Sequence, residues 1–192
     1  MKKIFCLLIV LLCGVMVSGC SIQNYFIKGQ CKKIETVMNK GKIFNEDYYI
    51  FGTSSFFEFT KDGNNYYYHH FFSDSEKYYI DNGTGYDVYV VDVSENTHQT
   101  LTYEEFEQID LPYLEDIYTK IYLEVQERLK DCDSGRYSCA IGHELFEPEM
   151  INFGDPNNTF IMLEKGKIMS YSFKYEFEYG NQTIEVPYEL FN

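Results

Sequence analysis

The residues best suited to chemistry are the histidines, the cysteines and a few clustered acids, and their spacing completes no catalytic motif. His69-His70 is the most conspicuous pair. Adjacent strand side chains point to opposite faces, so the two are poorly placed to ligate one metal ion. Beside Tyr66–Tyr68 and Phe71 each reads as a packed or surface residue. His143-Glu144 with Glu147 and Glu149 is acidic enough for a cation, but His-Glu-x-x-His is missing, and two prolines and a glycine nearby argue for a loop. Asp131-x-Asp133 beside Gly135 reads as helix-end and turn chemistry. Asp81-Asn82-Gly83 lacks the spacing and distal Glu of an EF-hand and reads as a hairpin turn. No Gly-x-Ser-x-Gly elbow, Walker loop or dinucleotide fingerprint occurs. The sequence therefore singles out no catalytic residue, metal site or cofactor.

The N-terminus carries the one specific chemical signal. Met1-Lys2-Lys3 precedes an almost wholly apolar run, Ile4 to Val17, and then Ser18-Gly19-Cys20. A basic start and an apolar core of this length match a secretory signal, and a bilayer span takes about 20 residues. Val17-Ser18-Gly19-Cys20 resembles a bacterial lipobox: an aliphatic residue, two small ones, then Cys. The resemblance to bacterial lipoproteins covers residues 1–20. It implies that 1–19 is a signal peptide, that Cys20 becomes the lipidated first residue, and that 20–28 is the lipidated Cys and a short tether. The domain would then lie at the extracytoplasmic face of the cell membrane, with membrane lipid as its partner at Cys20. Two acyl chains anchor stably where one is marginal.

Export bears on the remaining cysteines. Cys132 and Cys139 enclose Asp-Ser-Gly-Arg-Tyr-Ser, and in an exported chain a disulfide between them is expected, with free thiols as the alternative. Cys-x-x-Cys is absent. Cys31 falls on an apolar helical stripe and reads as a small buried hydrophobe.

Charge narrows the partners. Lys plus Arg number 16 against 30 Asp plus Glu, a net charge of −14; loss of 1–19, with two lysines and no acid, makes it −16. Such a chain repels phosphate backbones, which excludes a nucleic-acid partner, and no basic patch holds it to a bilayer.

The elements follow from periodicity. Ile27, Cys31, Ile34 and Met38 mark a helix that Gly41 can end. Tyr48–Phe51, Phe56–Thr60, Tyr66–Phe72, Lys77–Ile80 and Tyr86–Val93 read as strands divided by turn residues. Thr102 with Glu105 forms a capping box, flanked by Leu101 and Phe106. Pro112 is expected in the first turn of a second helix with the stripe Leu114, Ile117, Tyr118, Ile121, Val125 and Leu129. Residues 131–158 read as irregular. Phe160–Leu163 is a strand. Met169 to Tyr179 alternates as one long strand with Tyr171, Phe173, Tyr175 and Phe177 on one face. Thr183–Leu190, with Pro187, reads as an edge strand.

This order predicts one α+β domain over 29–192: a curved antiparallel sheet of about eight strands, with an N-terminal helix and a central helix pair packed on one face. It is similar in element order to the lipoprotein-carrier half-barrels of the lipoprotein-localisation-factor type. Tyr78-Tyr79-Ile80-Asp81-Asn82-Gly83-Thr84-Gly85-Tyr86-Asp87-Val88-Tyr89 resembles their strand–Gly turn–strand hairpin before the central helices.

Aromatic content points to function. The chain has 19 Tyr, 16 Phe and no Trp, in both alternation phases of its strands, more than one helix can cover. Some must line a groove, a second face or an interface. The expectation is a non-enzymatic, membrane-anchored binding domain. Its candidate surface is Tyr66, Tyr68, Tyr171, Phe173, Tyr175 and Phe177, for a lipid, a hydrophobic peptide or an envelope protein. An acidic structural or protective protein meeting a basic partner is the alternative. A hydrolytic enzyme would need His69, His70 or His143 to converge with carboxylates in one cleft.

Overall fold

A computed structural model of the chain describes residues 23–73, 75–142 and 149–191. The expected signal peptide at 1–19, Cys20, His143, Glu144 and Glu147 lie outside these residues. Among the described residues, eleven strands form one open antiparallel sheet in the order β6-β5-β4-β3-β2-β1-β11-β10-β9-β8-β7. The expected count of about eight is too low, and the sheet is uncurled rather than closed around its helices, with β6 and β7 as free edges.

Helix α1 covers 23–40 and buries Ile27, Cys31 and Ile34. Residues 23–28, expected as tether, are therefore already helical. Gly41, at φ 64, separates α1 from the single turn α2 (Lys42–Asn45). Six strands then run as a meander: β1 (Tyr48–Gly52), β2 (Phe57–Asp62), β3 (Asn65–His70), β4 (Ser75–Asp81), β5 (Gly85–Asp92) and β6 (Thr97–Thr102). The first five match the expected strands; β6, with the polar sequence Thr97-His98-Gln99-Thr100, was not foreseen.

The capping box at Thr102 and Glu105 starts α3 (Tyr103–Phe106), a single turn. The long helix α4 (Leu114–Asp133) begins after Pro112, not around it, and its first N–H is capped from the sheet: Leu114 N donates to the Tyr48 hydroxyl at 3.3 Å. All six residues of the expected α4 stripe are buried.

Strands continue as β7 (Ala140–Gly142), β8 (Glu149–Asn152), β9 (Phe160–Glu164), β10 (Lys167–Tyr171) and β11 (Tyr175–Tyr179). Two strands thus lie in the stretch expected to be irregular. The expected single strand from Met169 to Tyr179 is a hairpin, with Tyr171 paired to Tyr175 across the turn 172–174. Phe173 sits at the turn tip, 78% exposed, rather than on the face it was expected to share. Residues 181–187 form no strand, and Tyr188–Phe191 is a 3-10 turn.

The inner sheet face, from Val88, Tyr86 and Tyr79 through Phe59, Tyr48 and Phe177 to Ile168, Ile161 and Ile151, forms one core with α1, α3 and α4. Phe106 of α3 stacks on Tyr86 at 3.9 Å, and Tyr118 of α4 meets Phe177 at 5.9 Å. The outer face is also aromatic: Tyr67 and Tyr78 lie 5.0 Å apart. The C-terminal segment crosses this face diagonally. Ile184 N donates to Asp62 at the end of β2, and Tyr188 and Phe191 pack on Tyr89 of β5, so the chain between them passes over β3 and β4. Tyr78 is buried on this face, with its ring against Tyr67 and its hydroxyl donating to Glu76.

Candidate functional site

Between the inner sheet face and the start of α4 lies an open cleft of about 660 Å³. Its floor is apolar: Phe57 of β2, Tyr68 of β3, Tyr175 of β11 and Ile117 of α4. Strand alternation places these three ring-bearing residues together, because Phe57 and Tyr175 both flank Gly52 of β1 in register and Tyr68 lies opposite Phe59. Gly52 is required here. A Cβ at that position would lie 2.2 Å from the Phe57 ring, which closes over it. Phe57 contacts Tyr68 at 6.1 Å and Tyr175 at 6.5 Å.

The wall is polar and comes from elsewhere in the chain. Asp110 and Pro112 lie on the α3–α4 connection, which buried Leu111 pins down; Asp116, Thr119 and Lys120 lie on the first turns of α4; His70 closes the end of β3. Burial raises the Tyr68 hydroxyl pKa, and the nearby Asp110 charge raises it further. The Tyr175 hydroxyl is raised by burial and then by Glu124. Both phenols therefore stay protonated and remain hydrogen-bond donors at ordinary pH. The cleft thus combines ring faces, phenolic donors and two exposed carboxylates against one ammonium, Lys120, a set that accommodates a cation or donor group attached to an apolar body.

A second depression of about 480 Å³ opens on the other side of the α4 N-terminus, lined by Tyr48, Tyr66, Tyr113, Lys61 and Glu115. Its tyrosines are committed to packing. Tyr66 stacks against Phe106 at 5.5 Å and Phe59 at 6.0 Å, and burial pushes the Tyr113 hydroxyl up to about 12.

The six aromatic candidates consequently separate. Tyr68 and Tyr175 line the cleft, Tyr66 the second depression, Tyr171 and Phe177 the core, and Phe173 a hairpin tip. His69 and His70 do point apart: His69 packs on Phe71 at 4.4 Å outside the sheet, and His70 lines the cleft. His70 thus shares a cleft with Asp110 and Asp116, but among the described residues no hydrogen bond or ion pair joins them, and nucleophile–base–orienter geometry is missing. No group of three potential metal ligands occurs among the described residues. Asp110, Asp116 and Lys120 carried no sequence signal, because only the fold of the α3–α4 connection brings them against β2 and β3.

The sulfurs of Cys132 and Cys139 are bonded, with Cα atoms 5.7 Å apart. This joins the end of α4 to β7, and Cys139 Sγ lies 3.3 Å from the Phe153 carbonyl oxygen. Cys31 is free and buried, and burial pushes its thiol up to about 12.

Compared with models of protein families, with curated proteins and with solved structures, the chain matches none.

Proposed function

We propose that this chain is a non-enzymatic binding protein anchored at the extracytoplasmic face of the cell membrane through lipidated Cys20. Its cleft takes an amphipathic ligand with a cationic end. The observation that carries this reading is the meeting of Asp110 and Asp116 with the rings of Phe57, Tyr68 and Tyr175 around one cleft. An alkyl ammonium, a cationic lipid or a peptide with a basic residue beside apolar ones has the matching chemistry: rings and carboxylates both favour a cation, and Ile117 and Phe57 accept the apolar part. The lipobox at 17–20 supports the anchor.

The test compares octyltrimethylammonium with octyl sulfate, two probes of equal chain length and opposite charge, by calorimetry below their micelle concentrations. The cation should bind and the sulfate should not. Asp110→Asn with Asp116→Asn should weaken the cation about fivefold or more, as expected for losing two charge partners beside aromatic faces. Equal binding of both probes, or an unchanged double variant, would refute the ligand chemistry.

One observation favours a second reading, an acidic protein meeting a basic partner. Glu58, Glu76, Glu176 and Glu178 lie on the outer face of β2, β4 and β11, alternate strands of the sheet. Binding there would weaken steeply with salt, whereas the apolar share of cleft binding would not.

A further inference from the structure

The two rims of the sheet differ in kind. Among the described residues, the strands are joined at one rim by the turns 63–64, 82–84 and 165–166, made of Gly, Asn, Thr and Lys. The opposite rim carries the turns 53–56, 71–73, 93–96, 153–159 and 172–174, and four of these present an apolar side chain to solvent. Phe72 is 75% exposed, Val93 86% and Phe173 78%, with Phe56 and Phe71 also exposed. The three central turns are adjacent. Phe71 N donates to the Phe56 carbonyl at 2.9 Å, Thr53 N donates to the Lys174 carbonyl at 3.0 Å, and the Phe56 and Phe72 rings lie 5.0 Å apart. A two-sheet-face core gives no reason for phenylalanines at turn tips, where Gly, Asn, Asp and Ser are the favoured residues.

The same rim is where the chain enters the fold. Lys28 of α1 pairs with Asp133 at 2.9 Å, next to the Cys132–Cys139 bond, and Cys139 contacts Phe153 at the start of the rim turn 153–159. Tyr25 and Phe26, one turn earlier on α1, are exposed. Cys20 lies three residues before the first described residue, a reach of about 10 Å at full extension.

We infer that this phenylalanine rim lies against the bilayer and inserts its rings at the lipid interface. The inference rests on the anchoring of Cys20 proposed above, since a tether this short holds the α1 end of the domain at the membrane. Among the described residues of the three central turns Lys174 is the only charge, so they add no repulsion despite the acidity of the whole domain. Attachment by rings rather than by basic residues is insensitive to salt.

The absence of Trp from the chain makes the test direct. Single Phe72→Trp and Phe173→Trp variants of the full chain, expressed with the native signal, are reconstituted in excess phosphatidylethanolamine–phosphatidylglycerol vesicles. Part of the lipid is brominated near the headgroup end of its acyl chains. Asn64→Trp on the opposite rim is the control. Emission at 72 and 173 should be quenched about twofold more than at 64, and the difference should persist in high salt, as apolar insertion requires. Intact mass of each preparation reports acylation separately. An acylated chain whose Trp at 72 and 173 is quenched no more than that at 64 overturns the rim and spares the anchor. A chain without acyl mass that is still quenched at 72 and 173 supports the rim and overturns the anchor. A chain with neither overturns both.

Discussion

The hydroxyls of Tyr118 and Tyr179 lie 2.6 Å apart, one on α4 and one on β11. Tyr179 donates to the Ile168 carbonyl, and the Tyr118 oxygen accepts the Ile168 N–H at 2.7 Å. Both groups of one β10 residue are thus satisfied by side chains, beside the register shift between Ile168 and Ser170. The two phenols replace ladder bonds that the irregularity removes, and they fix the height of α4 over the sheet.

Tyr118→Phe leaves the buried Ile168 N–H without its acceptor. It should lower stability by about 1–3 kcal/mol, the cost of an unsatisfied buried group. Tyr179→Phe should cost a similar amount. Because both changes break one network, the double variant should cost less than the sum of the two singles. Denaturant titration of all three proteins checks this; strict additivity would refute the shared network.

The cysteines should separate by reactivity. Cys31, with its pKa pushed up to about 12 by burial, holds its proton throughout the ordinary pH range. Iodoacetamide at mild alkaline pH should leave it unmodified in the folded protein and label it only after unfolding, since the thiolate is the nucleophile. Removal of the bridge by Cys132→Ala with Cys139→Ala should lower stability by about 2–3 kcal/mol, the chain-entropy value for so short a loop. Mass spectrometry of the alkylated protein and a thermal melt provide the two readings.

Asp155 predicts an acid limit to stability. It is buried, and burial alone would raise its pKa. Against this, Thr159 donates through N at 2.6 Å and Oγ1 at 2.9 Å, and Arg128 lies 3.2 Å away. Together these outweigh burial and hold the carboxyl below its usual range. A depressed pKa contributes stability above the unfolded value of about 4, and that contribution is lost as pH falls through the folded one. Asp155→Asn should therefore be less stable at neutral pH and should show a flatter dependence of stability on pH below about 4. Parallel curves for the two proteins would refute the assignment.

Gly154, at φ 61, should tolerate no side chain. A Cβ there would fall 2.3 Å from the Ser138 carbonyl oxygen, in a backbone region that L residues avoid. Gly154→Ala should cost about 1–3 kcal/mol. A melting temperature equal to that of the parent would show that the 136–139 loop gives way freely.

Much of the fold is legible where local chemistry is strong. The capping box at Thr102, the α4 stripe and the first five strands each rest on residues within a few positions of one another. The β10–β11 hairpin is illegible for a specific reason. Its turn, Ser172-Phe173-Lys174, holds no Gly, Asn or Pro, and Ser172 supplies the positive φ of 50. Because Tyr171 and Tyr175 pair directly, the inward alternation of Tyr171, Tyr175 and Phe177 runs through the turn unbroken. β6 is illegible because a polar edge strand has no apolar face to mark it. In the cleft, Tyr68 and Tyr175 could be suspected from their strands. Asp110 and Asp116 could not, since their proximity to those rings depends on how the α3–α4 connection folds back.

The strand order bears on how the chain finds its fold. Every neighbouring pair in the sheet is sequential except β1 with β11, whose paired residues lie roughly 120 or more positions apart. Each wing, β1–β6 and β7–β11, can zip up hairpin by hairpin with low contact order, and one seam then closes a single large loop at a cost that grows only with the logarithm of its length. That seam is the natural rate-limiting event in folding, and the strand ladder at Ile50 and Phe177 is where the two wings would part under force.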